Sequence, residues 1–380
     1  MTTSARGPSR RAFLGAAGAA VTAGFTAGCH AEPSPKPGAT AGPVPAEGAR
    51  QAGVTLPARP QSQLLIVVAD LDDSAAAGPV LAELGRAVLA LTAGTDPRLL
   101  GLPATDLTVT VGLGPRLVRR IDPGLPGAAD LPPFAREEIA ERARGGDLLL
   151  QVCASDPLVP ALAAAALLAT AGDRVRERWR QSGRRGEHVP VSENLTAPRN
   201  LLGFVDGIVG PHSVPEQQRA LWLAGPPRVA GGTIAVVRRM ELDLARFAGL
   251  PVAAQEAVVG RRRDSGIPLS GGKIADGPDL GAKTPDGRYL VPVDAHARRA
   301  NANLVGAGLM LRRSYSMDDP RPGLLFVSFQ NELRTFTATL AHMESSSDAL
   351  LSFTTTTASG TFLILPGFGH GTPLGASLFP

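Results

Sequence analysis

The residues best placed to do chemistry lie in the run Asn200-Leu201-Leu202-Gly203-Phe204-Val205-Asp206-Gly207. This mostly apolar run sets one carboxylate, that of Asp206, between two glycines. Because a buried carboxylate is costly unless another group pairs with it or uses it, Asp206 is a candidate acid or base. The pattern is also typical of a turn in which the Asp side chain bonds its own backbone and Gly207 takes a positive φ. The run alone favours the turn and leaves the chemical role open.

A histidine and an arginine farther along the chain could complete a site with Asp206. His296 lies in residues 261–300, a segment rich in Gly, Asp and Arg with little periodicity, and long irregular segments inside domains are usually functional. Arg312 follows His296 by sixteen residues. Neutral imidazole can ligate haem iron, while a carboxylate and a guanidinium can move a proton and stabilise charge as peroxide is cleaved. The same three residue types would equally serve an acid–base hydrolase or plain ion pairs.

Hydrophobic patterning predicts the elements that must position these residues. Strands are predicted at 63–70, 107–113 and 147–153, with helices at 75–93 and 159–170. A second cycle has strands at 232–240, 309–315, 324–330 and 361–365, with helices at 252–260 and 334–343. This order predicts an α+β fold of antiparallel sheets with helices packed on them. We divide it into an N-terminal module, residues 61–220, and a similar C-terminal module, residues 221–380.

Composition narrows the functional classes. Of the 380 residues, 44% are apolar, and the net charge of +4 includes no basic stripe with interleaved aromatics, so nucleic acid is not an expected partner. The two cysteines are Cys29 and Cys153. Cys153 lies in a predicted buried strand and is expected to be an inert core thiol. If a leader is removed at or after Cys29, Cys153 has no intrachain partner, so neither a structural disulfide nor a thiolate zinc site is expected.

The first 31 residues read as a twin-arginine signal peptide. Ser9-Arg10-Arg11-Ala12-Phe13-Leu14-Gly15 precedes an apolar run, residues 16–27, that is too short for a comfortable membrane span. The twin-arginine translocase is therefore an expected partner, and the destination is the periplasm, the cell envelope or the exterior. Thr26-Ala27-Gly28-Cys29 resembles a lipobox, so a lipid anchor at Cys29 is the alternative to free secretion. Residues 32–60, rich in Pro, Ala and Gly, are predicted to be a disordered linker.

Six blocks of sequence, in order, resemble the dye-decolorizing peroxidases. They are residues 200–207, 231–240, 259–269, 294–301, 310–315 and 323–330. The likeness is to the exported twin-arginine bacterial branch, which includes deferrochelatase/peroxidase proteins, and it runs from about residue 60 to residue 370. It implies two ferredoxin-like modules, with haem b (iron protoporphyrin IX) held in the C-terminal one.

The resemblance also implies roles for single residues. His296 matches the proximal iron ligand, Asp206 the distal acid and base, and Arg312 the distal arginine. Gly203 and Gly207 would let the backbone bring Asp206 close to the iron.

Other positions are implied to surround the cofactor. Leu324 and Phe326 match the apolar distal wall, since alternate strand residues share a face. Arg238 and Asn301 are expected beside the haem propionates. Asp348 is expected either to bond the far nitrogen of His296 or to cap a helix after three serines.

The chain is thus expected to be an exported haem peroxidase that uses hydrogen peroxide to oxidise small one-electron donors such as dyes and phenolics. The alternatives are a deferrochelatase that releases iron from haem and a non-enzymatic haem-binding lipoprotein. Ile208-Val209 and Ser314 depart from the usual residues of the family around the distal pocket. Each Trp and Tyr is expected to be a packing residue.

Overall fold

A strand-helix-strand-strand-helix-strand order occurs twice along the chain. The computed structural model describes residues 42–73, 76–192 and 195–379. The β-strands of these residues are β1 Gln63–Leu71, β2 Thr108–Leu113, β3 Leu148–Ala154, β4 Val175–Arg184, β5 Val189–Ser192, β6 Leu195–Ala197, β7 Thr233–Leu242, β8 Leu311–Arg312, β9 Tyr315–Met317, β10 Gly323–Gln330 and β11 Thr354–Ile364. Their α-helices are α1 Ala77–Thr92, α2 Pro115–Ile121, α3 Val159–Ala171, α4 Val214–Ala220, α5 Leu244–Ala248, α6 Val252–Val259, α7 His296–Arg299, α8 Ala302–Val305 and α9 Leu333–Ser345.

The first cycle forms an antiparallel sheet in the order β2-β3-β1-β4, with α1 and α3 packed against it. This order, with two crossing helices, is the ferredoxin-like arrangement. The predicted bounds of β1, β2, β3, α1 and α3 lie within two residues of the observed ones. The sequence pattern does not predict β4, because half of its side chains are charged and it buries only Trp179, Gln181 and Gly183.

The second cycle repeats this topology in the order β9-β10-β7-β11, with β8 beside the same edge of β10 as β9. The two sheets also meet. β11 pairs with β2, and Arg184 of β4 lies opposite Ser316 of β9. The pairings therefore close into a barrel whose strands are all antiparallel to their neighbours, and the α+β prediction is confirmed. The predicted division at residue 220, just after α4, stays a prediction.

The predicted single strand at 309–315 is wrong, because it breaks between β8 and β9. The main-chain N–H of Val327 donates to the hydroxyl of Ser314 at 3.3 Å, in place of a carbonyl of the neighbouring strand. Arg313 still donates its main-chain N–H to the carbonyl of Val327 at 2.9 Å, so the register of the two pieces against β10 is continuous.

The barrel interior is apolar and buries side chains of both sheets, among them Cys153, Trp179, Tyr315, Phe329 and Phe362. Burial raises the pKa of the Cys153 thiol to about 11, and the thiol is free. The prediction of a buried core cysteine is therefore confirmed, and burial disfavours the reactive thiolate. On β7 and β10, the residues that alternate with the interior-facing ones point to the outer face of the second sheet. Helix α9 and the irregular segment 261–300 lie on this face.

The prediction of a disordered linker is wrong from Ala46 to Pro57. The side-chain amide of Gln51 donates to the carbonyls of Val111 and Leu365, at 2.9 and 3.1 Å, and accepts from the N–H of Val111 at 2.8 Å. This amide satisfies backbone groups where β2 and β11 meet, and Val54 beside it is fully buried. A Pro- and Gly-rich composition predicts irregular structure, which these residues have, but does not predict whether it packs.

The predicted signal peptide, the lipobox at Cys29 and linker residues 32–41 lie outside the described residues. Among the residues that are described, no helix is both long and apolar enough to span a membrane.

Candidate active site

A cavity of about 480 Å³ lies between the outer face of the second sheet, α7 and α9. Its walls are mostly apolar, and its size is typical of a cofactor pocket. Eight of the nine residues predicted from the sequence for catalysis or cofactor binding line it: Asp206, Gly207, Arg238, His296, Asn301, Arg312, Leu324 and Phe326. The fold therefore brings together side chains that lie up to 120 positions apart in the sequence.

His296 is the first residue of α7, and a buried carboxylate orients its ring. The ring Nδ1–H donates to Oδ2 of Asp348 at 2.9 Å, and the Asp348 side chain is 0% exposed. Oδ1 of Asp348 accepts from the N–H of Leu350 at 2.9 Å and so caps the 3₁₀ turn Ala349–Phe353. Both hypotheses for Asp348 are thus realised, one by each oxygen. The Nε2 lone pair of His296 remains for a metal.

Asp206 stands on a loop whose turn is the one predicted from its glycines. The N–H of Gly207 donates to Oδ1 of Asp206 at 2.8 Å, and Gly207 has φ +76°. At the start of the loop, the side-chain carbonyl of Asn200 accepts from the N–H groups of Leu202 and Phe204, at 3.1 and 3.2 Å. The turn thus holds one oxygen of the carboxylate, and the residue still lines the cavity.

Gly203 is the predicted site residue that does not line the cavity. Its φ is +85°, and a Cβ at this position would lie 2.8 Å from Nε of Arg263. Only glycine fits this close approach without displacing the arginine. Gly203 therefore serves the loop that carries Asp206 and does not contact the cavity.

The second oxygen of Asp206 has a charged neighbour that the sequence does not predict. Nη2 of Arg185, the residue after β4, lies 3.9 Å from Oδ2 of Asp206, and the two side chains are 10% and 29% exposed. This distance is too long for a hydrogen bond. The Arg185 guanidinium also lies 5.4 Å from the ring centroid of Tyr315. Oδ2 is therefore near a cation but is free to exchange a proton.

Strand alternation places Arg312 in the cavity. Arg312, Ser314 and Ser316 all line it, whereas Arg313 points the other way and donates to the carbonyl of Pro57 through both terminal nitrogens at 3.0 Å. Among the described residues, Arg312 makes one long side-chain contact, 3.4 Å from Nη2 to the carbonyl of Val209. The adjacent arginines therefore have different functions, and Arg312 is the one available for chemistry.

The predicted apolar wall is also produced by alternation. Leu324 and Phe326 of β10 line the cavity, while Leu325 is buried in the barrel interior. The ring of Phe326 lies 5.7 Å from that of Phe336 on α9, which extends the wall. Ile208 and Val209 line the cavity as well, so the residues that depart from the family make this region more apolar.

Arg238 lines the cavity, but it already has an anionic partner. Nη2 of Arg238 lies 2.8 Å from Oε1 of Glu137, and both side chains are almost fully buried. Burial lowers the pKa of Arg238, and the carboxylate of Glu137 opposes that effect. Asn301, the other predicted propionate neighbour, caps α8 by accepting from the N–H of Asn303 at 3.0 Å. Asn301 is uncharged, and the charge of Arg238 is already paired with Glu137, whose other oxygen lies 3.6 Å from Nη1 of Arg144.

Three further charged residues line the cavity and were not predicted from the sequence: Arg136, Arg261 and Glu344. Arg261 donates to the carbonyls of Gly266 and Ile274 at 2.8 and 3.0 Å. Burial raises the pKa of Glu344. Helical spacing could have found Glu344, since it shares a face of α9 with Phe336 and Leu340. No local pattern identifies Arg136.

The chain has four Trp and Tyr residues, and three of them are buried as expected. Trp179, Trp222 and Tyr315 are each less than a tenth exposed. Tyr289 is 41% exposed, with Nζ of Lys283 and Cζ of Arg298 each 4.6 Å from its ring centroid. The prediction that every Trp and Tyr is a packing residue is therefore wrong for Tyr289. This residue pairs with Lys283 in the irregular segment, and its ring is exposed to solvent.

The donor set of the cavity fits a haem. It combines apolar walls, one imidazole with a free nitrogen and a buried carboxylate behind it, and cations that could meet the propionates. His296 would ligate the iron, and Leu324 and Phe326 would contact the macrocycle.

Comparisons with known proteins point to one family. The sequence models described as "Dyp-type peroxidase, N-terminal" and "Dyp-type peroxidase, C-terminal" match residues 51–185 and 197–368. A "Dye-decolorizing peroxidase" from Thermobifida fusca is 33% identical over 99% of this chain and 98% of its own length. A "Deferrochelatase" from Escherichia coli K12 is 28% identical over 95% and 94%. DtpA from Streptomyces lividans superposes with a TM-score of 0.81 at 30% identity, over 90% of this chain and 98% of its own.

Proposed function

This chain belongs to the DyP-type peroxidase family, and we propose that His296, Asp206 and Arg312 are the residues through which it acts. It is a haem-dependent oxidoreductase that takes electrons from donors and reduces peroxide. The observation that carries the residue assignments is the single cavity that joins a carboxylate-backed histidine to an aspartate and an arginine.

His296 is the proposed iron ligand. When bound, haem supplies the iron at which peroxide is reduced and the conjugated system that exchanges electrons with donors. The Asp348 carboxylate fixes the ring so that Nε2 carries the lone pair, and its negative charge makes the imidazole a stronger ligand. Because the Asp348 side chain is fully buried, its carboxylate is shielded from the solvent that would weaken its bond to Nδ1–H.

Asp206 is the proposed proton carrier. Its Oδ1 is fixed by the N–H of Gly207, while Oδ2 has no hydrogen bond within the described chain and can accept a proton from one peroxide oxygen. In this role Asp206 would hold the proton at Oδ2 and pass it to the other peroxide oxygen, the one that departs as water, with the electrons for the cleavage supplied by the haem when it is bound. Arg312 would stabilise the negative charge that builds on the leaving oxygen.

Hydrogen peroxide is the proposed oxidant, and small phenolics and dyes are the proposed donors. The test is an absorbance spectrum of the purified, haem-loaded protein with and without peroxide, followed by a phenolic donor. We expect a Soret band that changes with peroxide and returns when donor is added. Full peroxidase turnover in a variant that lacks both Asp206 and Arg312 would contradict the assigned roles.

Release of iron from haem is the second candidate function, because deferrochelatases align over 95% of the chain. Incubating the protein with excess haem and an iron chelator, and then extracting free protoporphyrin, separates the two activities. Porphyrin that accumulates in wild type but not in the Asp206→Ala variant would support this second function at the same site. A porphyrin yield no higher than that of haem in buffer would exclude it.

Export through the twin-arginine translocase is also proposed. The support is the pair Arg10-Arg11, the short apolar run that follows and the lipobox-like Cys29. In fractionated cells we expect wild type in the envelope or the medium, and the double Arg10→Lys, Arg11→Lys variant in the cytoplasm. A radiolabelled fatty acid incorporated in wild type but not in Cys29→Ala would identify the lipid-anchored form.

A further inference from the structure

One segment of the N-terminal half reaches across to the cavity. This segment, residues 134–145, is called the strap here, and it runs along the edge of β11. The N–H of Thr356 donates to the carbonyl of Arg136 at 2.9 Å, and the N–H of Glu138 donates to the carbonyl of Thr356 at 2.8 Å. Farther along, the N–H of Gly145 donates to the carbonyl of Ser359 at 2.8 Å. These bonds fix the backbone of the strap beside the cavity.

Side chains fasten the strap as well. Glu137 forms the buried ion pair with Arg238, and the ring of Phe134 meets that of Phe336 edge-on with centroids 6.1 Å apart. Between these two anchors, Ala135 and Arg136 line the cavity. The strap is therefore a wall of the cavity and is not a free loop.

Arg136 has a backbone conformation that its side chain makes unfavourable. Its φ is +57°, in the left-handed region where a Cβ crowds the following carbonyl. Glycine would adopt this conformation without strain. Strained residues of this kind persist where the surrounding structure holds them, and they cluster at functional sites. The side chain of Arg136 is therefore the part of the residue to explain.

Within the part of the chain that the structure describes, Arg136 is also the cavity cation with neither a bonded partner nor an assigned role. Arg238 is paired with Glu137, Arg261 donates to main-chain carbonyls, and Arg312 is assigned to peroxide. Within the described residues, the Arg136 guanidinium makes no ion pair or hydrogen bond, and the residue is exposed at the cavity rim. An exposed, free guanidinium at a cofactor pocket is suited to a carboxylate, which it can bind in bidentate fashion.

We propose that Arg136 is a carboxylate-binding residue that the strap supplies to the cavity, where it pairs with a propionate of the bound haem. The inference rests on the proposed haem site. It follows from the pairing of Arg238 with Glu137, because Arg136 is then the cavity arginine whose guanidinium has no bonded partner among the described residues. It also gives the N-terminal half a direct part in holding a cofactor whose iron ligand belongs to the C-terminal half.

The test compares haem with its dimethyl ester, which has no free carboxylate. Full-length protein is loaded with either compound, and its transfer to excess apomyoglobin is followed by absorbance. We expect Arg136→Gln to lose haem about tenfold faster than wild type, the effect of one charge-assisted hydrogen bond. The ester should leave both proteins at the same rate. Arg142→Gln is the matched control, because Arg142 is an exposed strap residue that does not line the cavity.

A glycine variant separates the side chain from the backbone. Arg136→Gly relieves the left-handed strain, so the protein should melt no lower than wild type and yet lose haem as fast as Arg136→Gln. Haem retention equal to wild type in both variants would overturn the proposal. A second result would also overturn it: the variants lose haem at the wild-type rate, but their KM rises for a phenol that carries a carboxylate and not for the neutral phenol. Arg136 would then bind the carboxylate of the electron donor. Failure of the haem site itself is distinct, since wild type would then bind neither compound.

Discussion

Two sets of polar side chains serve the cavity and are held in opposite ways: His296 with Asp348 behind it, and Asp206 with Arg312. His296 and Asp348 meet at 2.9 Å, and the carboxylate is fully buried with both oxygens bonded. Asp206 and Arg312 are partly exposed. Only Oδ1 of Asp206 is bonded, by the N–H of Gly207 at 2.8 Å, while its Oδ2 lies 3.9 Å from Arg185, and Arg312 makes one long contact of 3.4 Å to a main-chain carbonyl. A metal ligand must keep one tautomer and one orientation, whereas groups that move protons or meet developing charge must have free capacity. The difference in packing therefore matches the difference in proposed role.

The largest expected effect is at the tightly held pair. His296→Ala should abolish the Soret band of the loaded protein, because the described cavity offers no second imidazole. The measurement is haem content after gel filtration. His370→Ala is the control, since His370 is exposed and lies outside the cavity. Full haem retention in His296→Ala would mean that another residue ligates the iron.

Removing the loosely held arginine should spare haem and slow the chemistry. Arg312→Leu is expected to lower kcat by about 10²–10³-fold, the effect of losing one preorganised donor to developing charge. Arg334→Leu is the matched control, because Arg334 also donates to a single main-chain carbonyl, that of Gly306 at 3.2 Å, but does not line the cavity. Equal losses in the two variants would indicate a general effect of removing an arginine.

Asp348, whose carboxylate accepts from Nδ1–H of His296, can be replaced without removing the cap that it gives to the 3₁₀ turn. In Asp348→Asn the amide oxygen can still accept from the N–H of Leu350, but the residue no longer offers two acceptors. We expect haem to be held roughly 10- to 100-fold less tightly, with little change in melting temperature. Asp348→Ala should show the same haem loss and in addition lose the cap, about 1 kcal/mol of stability. Haem affinity that falls only in the alanine variant would make Asp348 a structural cap and nothing more.

The smallest expected effect comes from replacing Glu344, a second carboxylate that lines the cavity. Burial raises the pKa of Glu344 above its ordinary value of 4.5, so its contribution to stability is complete below that pH and is lost as pH rises through the raised pKa. Glu344→Gln should therefore melt slightly higher than wild type at pH 7 and the same at pH 4, with peroxidase activity unchanged. A large loss of activity would mean that Asp206 is not the sole carboxylate that serves peroxide.

Periodic patterns predicted much of this molecule, and non-local contacts account for most of what they missed. Alternation on β10 placed Leu324 and Phe326 on one wall, and the order of elements predicted two similar α+β halves. Strand β4 was missed because Trp179 is the one large apolar side chain that it buries, while its charged side chains face outward. The packing of Gln51 was missed because its partners lie 60 and 314 residues away.

The site was predictable where a residue type is tied to a chemical task, and less so where its partner is distant. Asp206, His296 and Arg312 could be named because the family resemblance supplied their grouping. Glu137, which neutralises Arg238, gives no local signal, because the pairing depends on how the strap crosses β11. The role expected of Arg238 therefore changed once its neighbour was known.

The contrast between tightly held and loosely held residues is tested most directly by the second-order rate constant for the reaction of peroxide with haem-loaded Asp206→Ala, measured by stopped flow. Asp264→Ala is the matched control, because Oδ1 of Asp264 also accepts from the N–H of its next residue, at 2.6 Å, but Asp264 lies outside the cavity. We predict that Asp206→Ala keeps its haem and reacts about 10²–10⁴-fold more slowly than wild type, while Asp264→Ala reacts at the wild-type rate. A wild-type rate in Asp206→Ala would contradict the central claim that the loosely held carboxylate carries the proton.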